Sequence, residues 1–161
     1  MLSCGYQAVY ADSAATRLHV RLVRTLVADA VASDEVLAGM REELARLGAL
    51  EPGDGFPRAE VEVLLADDAS EGISALDGGP AARATDVSLV ARAWIVRASG
   101  QPPESDTGDV RADDVITVDE SQGALDLRAS AFRESDALRA AGHRLGRALA
   151  RRLARAGSKP L

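Results

Sequence analysis

The chain is poor in sulfur, in lysine and in aromatic rings. Its 161 residues hold one cysteine, Cys4, and one lysine, Lys159. A single cysteine excludes a disulfide within the chain. The aromatic residues are Tyr6, Tyr10, Phe56, Trp94 and Phe132 alone, so the core must be built from Val, Leu, Ile and Ala. No stretch approaches the ~18–20 continuous apolar residues of a membrane-spanning helix. Histidine occurs only at His19 and His143. No HExxH, dinucleotide fingerprint or Ser-His-Asp arrangement can be placed. The glycine-containing stretch EPGDGFP, residues 51–57, is followed by no Lys-Ser or Lys-Thr and is not a phosphate loop. A metal site needs converging oxygens or imidazoles at ligand spacing, and the pairs Asp67-Asp68, Asp113-Asp114 and Asp119-Glu120 read instead as solvated carboxylates at strand ends. By elimination the sequence points to a binding or assembly role rather than an enzyme, with no cofactor and no metal.

What the chain does contain is an ordinary globular balance, 47% apolar and 27% charged residues, at a length that suits one domain. The net charge of -6 is unevenly spread. Residues 129–161 carry eight bases against two acids, a net +6, and the rest of the chain carries -12. Nucleic acid is therefore excluded as a partner for the whole surface, because phosphate binding needs local basic charge. The basic C-terminal segment is the one place for an anionic partner.

The hydrophobic pattern gives six elements. In TRLHVRLVR, residues 16–24, Leu18, Val20 and Leu22 alternate with Arg17, His19 and Arg21, which predicts a half-buried strand with His19 on its solvated face. SDEVLAGMREELARLGAL, residues 33–50, predicts a helix with Leu37, Met40, Leu44 and Leu47 on one stripe, Ser33 able to cap it and Gly48 as its stop, and Asp29 and Val31 also tolerate an earlier start. AEVEVLLADD, residues 59–68, predicts a strand with Val61, Val63 and Leu65 on one face. Residues 70–84 read as a loop or irregular edge, because Gly78, Gly79 and Pro80 oppose regular structure. TDVSLVARAWIVRA, residues 85–98, and VRADDVITVDE, residues 110–120, predict two more strands around a loop at 99–109. A last helix is predicted from near Ser130, with Leu138, Ala141, Leu145, Leu149 and Leu153 on its apolar face. The order strand, helix, strand, strand, strand, helix is an α+β pattern: two helices packed on one face of a small, mostly antiparallel or mixed four-stranded sheet.

Two features of the last helix bear on function. Gly142 and Gly146 are spaced for close packing, expected against the sheet. Arg144, Arg147, Arg151 and Arg155 follow 3- and 4-residue steps and share a face. Such a stripe either solvates the helix or contacts the phosphates of an anionic lipid or glycolipid, for which arginine forks are suited.

Cys4 has three readings: a chance cysteine of a cytosolic protein, a nucleophile, or a lipid attachment site. A nucleophile needs a partner base that neither histidine supplies. Leu2 and Ser3 just before Cys4 fit the small-residue end of a bacterial lipoprotein leader. Such a leader is longer than three residues, so lipidation expects a basic and then apolar stretch encoded upstream of Met1.

CGYQAVY, with Cys4, Gly5 and Tyr6, resembles the mature start of the LPS-assembly lipoprotein family, LptE. The likeness extends coarsely through the strand RLHVRLVR, the helix DEVLAGMREELARLGAL, the strands AEVEVLL and DVSLVARAWIVRA, and the final helix ALRAAGHRLGRALARRLA. The resemblance implies a lipid anchor on Cys4 and a position at the periplasmic face of the outer membrane. It implies a role as plug of the large barrel LptD, delivering lipopolysaccharide to the surface. On that organisation residues 1–15 form the anchor segment and tether, 16–156 a single α+β domain, and 157–161 a flexible tail. Two alternatives stand beside it: another periplasmic lipoprotein that activates or scaffolds envelope enzymes, and a cytosolic small α+β binding module.

Overall fold

A computed structural model describes residues 16–28, 30–73, 82–119 and 126–157. The segment 1–15 with Cys4, the glycines Gly78 and Gly79 with Pro80, and residues 158–161 lie outside the described residues.

The elements are β1 (His19–Thr25), α1 (Ala30–Arg46), β2 (Arg58–Ile73), β3 (Ala82–Val96), β4 (Val110–Asp119) and α2 (Asp126–Gly157). The four strands lie in chain order, β1-β2-β3-β4. β1 runs parallel to β2, and the two following pairs are antiparallel, so the sheet is mixed. A parallel pair needs a crossover, and α1 supplies it. β2, β3 and β4 follow as a meander. The architecture is the expected α+β one.

The alternation along each strand decides which face carries the helices. Ala59, Val61 and Val63 of β2 are buried with Leu89, Ala91, Ala93 and Ile95 of β3. They share one core with Val36, Met40 and Leu44 of α1 and with Ala141, Leu145, Leu149 and Leu153 of α2. This core is aliphatic throughout, as the shortage of rings requires. The stop of α1 is also as expected: Gly48 has φ of 68°, and the Gly48 and Ala49 amides donate to the carbonyls of Ala45 and Leu44.

Several expectations are corrected. The 70–84 segment is no loop along its length: β2 continues to Ile73 and β3 starts at Ala82, paired from Ser70↔Thr85 to Ile73↔Ala82. Backbone pairing extends the hairpin through Ala, Ser and Gly residues of poor strand propensity. Leu65 does not share the core face of Val63. A register irregularity between Val63 and Leu65 re-aims the strand, and Leu65 is exposed.

Helix α1 starts at Ala30, so Ser33 is not its cap. Ser33 is buried one turn in, with its hydroxyl 3.0 Å from that of Thr25. Leu47 lies beyond the helix and is 37% exposed. α2 begins at Asp126, one turn before the predicted start.

The largest correction concerns the glycines. Gly142 and Gly146 do not seat α2 on the sheet but on α1. A Cβ at Gly142 would lie 2.9 Å from the Ala32 carbonyl oxygen, and one at Gly146 would overlap the carbonyl oxygen of Val36. Gly39 answers from the other side, its Cα facing the His143 backbone. The two helices therefore run side by side in the same direction, close enough for backbone to meet backbone. Both C-termini emerge at one end of the molecule.

Candidate functional site

One helical turn beyond the glycine contact, α1 and α2 bring a carboxylate and several guanidinium groups together. Glu43 is 1% exposed, an unusual place for an ionised glutamate. Arg46, one turn along α1, grips it with both Nε (3.1 Å) and Nη2 (2.5 Å). From α2, Arg147 Nε donates to Oε2 at 3.3 Å and Arg151 Nε to Oε1 at 2.8 Å. Hydrogen bonds from Arg46 and then Arg151 hold the Glu43 carboxyl far below the usual glutamate range, against the desolvation that would raise it. The same bond raises the Arg46 pKa. A buried carboxylate must be paired to remain charged, and here three partners surround it.

The predicted arginine stripe is thus divided. Arg147 and Arg151 turn toward α1. Arg144 reaches β4, pairing with Asp114 Oδ2 at 3.0 Å and donating to the Asp113 carbonyl at 3.0 Å. Arg155 is exposed, and among the described residues its guanidinium has no partner. Arg46, Leu47, Arg151, Ala154 and Arg155 line an open groove of about 610 Å³ where the helices end. Arg46 and Glu43 were not singled out from the sequence. Glu43 and Arg46 stand at i, i+3, and Gly39, one turn earlier, marks a small-residue helix surface. That spacing was the available signal.

A second ionic lattice covers the helix-free face of the sheet. Glu62, also buried, accepts from Arg92 Nε at 2.8 Å and pairs with Arg24 at 3.3 Å. Its hydrogen bond raises the Arg92 pKa. Glu60 accepts from Arg58 and from the Trp94 indole N–H, at 2.8 and 2.9 Å. Each of these charged groups has a partner within the lattice, three arginines sharing two glutamates.

The remaining sequence candidates are placed as follows. The ring of His19 packs against Gly55, and its Nδ1 is buried with no partner among the described residues, so it is not simply solvated. His143 Nε2 lies 2.9 Å from Glu42 on the helix surface. Asp113 and Asp114 lie inside β4 rather than at its end, paired with Arg111 and Arg144. Among the described residues no group of three or more His, Cys, Asp or Glu could hold a metal ion, and no helix is long and apolar enough to cross a membrane. Cys4 lies outside the described residues.

No protein-family model matches the chain, and no curated protein matches it in sequence. Solved structures do share its fold. A minor lipoprotein from Acinetobacter baumannii superposes with a TM-score of 0.53 at 11% identity, covering 91% of this chain and 98% of that one. Two others are a lipoprotein from Caulobacter crescentus CB15 and the rare lipoprotein B from Shewanella oneidensis. The first has a TM-score of 0.49 at 14% identity, covering 88% of this chain and 93% of that one. The second has 0.46 at 10%, covering 83% and 94%. The neighbours are bacterial lipoproteins, and with the first of them the chain shares its α+β fold over 91% of its length.

Proposed function

We propose that the chain is a lipid-anchored lipoprotein of the bacterial outer membrane. It assists lipopolysaccharide assembly as the plug partner of an LptD-like barrel, as the resemblance to the LptE family implies. It works by binding and positioning, not by catalysis, and uses no cofactor. The observation that carries the reading is the fold shared with the Acinetobacter minor lipoprotein over 98% of that chain, set beside the Cys4-Gly5-Tyr6 start.

The parts have distinct tasks. Acyl chains on Cys4 hold the domain at the periplasmic face of the outer membrane. Each buried methylene contributes about 0.8 kcal/mol and one chain binds only marginally, so a diacylglyceryl group with an amide-linked chain is what makes the tether stable. The compact helix-on-sheet body fills the barrel. Of the predicted stripe, Arg151 and Arg155, which line the groove, are the glycolipid-facing cations in this reading, while Arg144 is held by β4.

The test is recovery of partners. The tagged protein, expressed with its own upstream leader, is purified from envelopes in mild detergent. A large β-barrel protein is the expected companion. Recovery of a peptidoglycan synthase in its place would support the envelope-enzyme scaffold, and a soluble protein without partners would support the cytosolic module.

A further inference from the structure

We infer that the groove at the joint C-terminal end of α1 and α2 is a binding site for a phosphomonoester, formed by Arg46, Arg151 and Arg155 with Leu47 and Ala154 as its apolar wall.

The charge count favours an anion. Arg46, Arg147, Arg151 and Arg155 surround this end, against one carboxylate, Glu43. The two parallel helices also present their negative poles here, roughly -0.5 each. About two positive charges remain uncompensated. A phosphomonoester carries about -1.5 to -2 at neutral pH, which matches that surplus. On the helix-free face the excess is smaller: Arg24 and Arg92 share Glu62 and Arg58 meets Glu60, three arginines against two glutamates.

The geometry favours a tetrahedral oxyanion. Glu43 takes only Nε of Arg151, which leaves the two terminal nitrogens of that fork for an outside acceptor. Arg155 stands across the groove with no internal partner among the described residues. Glu43 is the positioning residue: it fixes Arg46 and Arg151 in one orientation, so a ligand does not have to order two long side chains. Leu47, which left the core stripe, lies beside these forks together with Ala154. An apolar wall next to arginine forks suits a phosphate carried on a lipid, and free phosphate shares the same head chemistry.

The inference rests on the arginine-face part of the proposed function and not on the anchor. Relative to the predicted stripe, Arg46 joins from α1, and Arg144, tied to β4, drops out.

The experiment uses the full 161-residue chain and two probes. One is inorganic phosphate, followed by calorimetry. The other is sedimentation with vesicles of phosphatidylcholine, with and without an equal part of phosphatidic acid. Salt-sensitive binding to the phosphatidic acid vesicles is expected, with about tenfold weakening by Arg155→Glu and by Leu47→Asp, and no change by Arg144→Glu. Arg155 and Leu47 lie outside the core, and circular dichroism confirms that each variant is folded. Binding of phosphate without vesicle preference would keep the site and assign it to a soluble phosphate. Equal binding by wild type and Arg155→Glu, equal loss in Arg144→Glu, or no binding of either probe would each overturn the inference. Palmitate labelling of Cys4 is unaffected by any of these variants, so failure of the groove and failure of the anchor are separate results.

Discussion

Arg151 of α2 donates its Nε to the buried carboxylate of Glu43 on α1 at 2.8 Å, a bond between residues 108 apart in sequence. It closes the interface that the glycines open. Gly39, Gly142 and Gly146 bring the helix backbones together, and the next turn then has a carboxylate with no room for water. Only the guanidinium groups of Arg46, Arg147 and Arg151 can satisfy it. Packing and charge are one device here, and it fixes the end of the molecule where the groove lies.

Glu43→Gln should destabilise the fold more than Arg147→Ala. The amide keeps the shape but leaves three guanidinium groups crowded without a counter-charge. Thermal unfolding followed by circular dichroism measures it. The expected order of midpoints is wild type, then Arg147→Ala, then Glu43→Gln. An unchanged midpoint in Glu43→Gln would show that the cluster contributes nothing to stability.

The same carboxylate gives a pH dependence of known sign. Its folded pKa is depressed by Arg46 and Arg151, so its stabilising contribution is fully present above the ordinary glutamate value of about 4.3. That contribution is lost as pH falls below this value toward the folded one. Urea midpoints of wild type and Glu43→Gln, measured from neutral pH downward, should differ most near neutrality and converge in acid. A gap that widens in acid would contradict the assignment.

Gly146→Val should cost at least about 1–3 kcal/mol, the usual penalty of overpacking, because its side chain would meet the Val36 carbonyl. Backbone cannot give way as a flexible side chain can. Gly53→Ala, in a turn with open space around it, should lose less, and only through its φ of 86°. Urea unfolding of the two variants makes the comparison.

Leu149→Ala, in the centre of the core, should cost about 2–5 kcal/mol. Phe132→Ser should change stability by no more than about 0.5 kcal/mol, because that ring is 72% exposed. A large loss from Phe132→Ser would mean that the ring is covered in solution.

Much of the fold was legible in the sequence because it lies in short-range periodicity. The burial of Leu18 and Val20 between exposed Arg17 and Arg21, and the stripe Leu145, Leu149 and Leu153, are found as expected. What was not legible depends on partners distant in the chain. The β2–β3 hairpin continues through low-propensity residues because each strand templates the other. Leu65 turned outward because of a register irregularity that leaves no trace in composition. Glu43 sits in a run of charged residues, REE, and reads as surface; only the pairing of Gly39 with the α2 backbone buries it. The glycine spacing on α2 was visible, but not which surface it would meet. Of the arginine stripe, the spacing was legible and the partners were not. Arg144 leaves for β4, and Arg46 enters from a helix where it looked ordinary.

The most direct measurement is the intact mass of the protein after growth with labelled palmitate, expressed from its native reading frame. Label on Cys4, a mass increased by acyl chains, and loss of both in Cys4→Ser are expected. An unmodified thiol at Cys4, with the protein wholly in the soluble fraction, would contradict the anchor and with it the transport role.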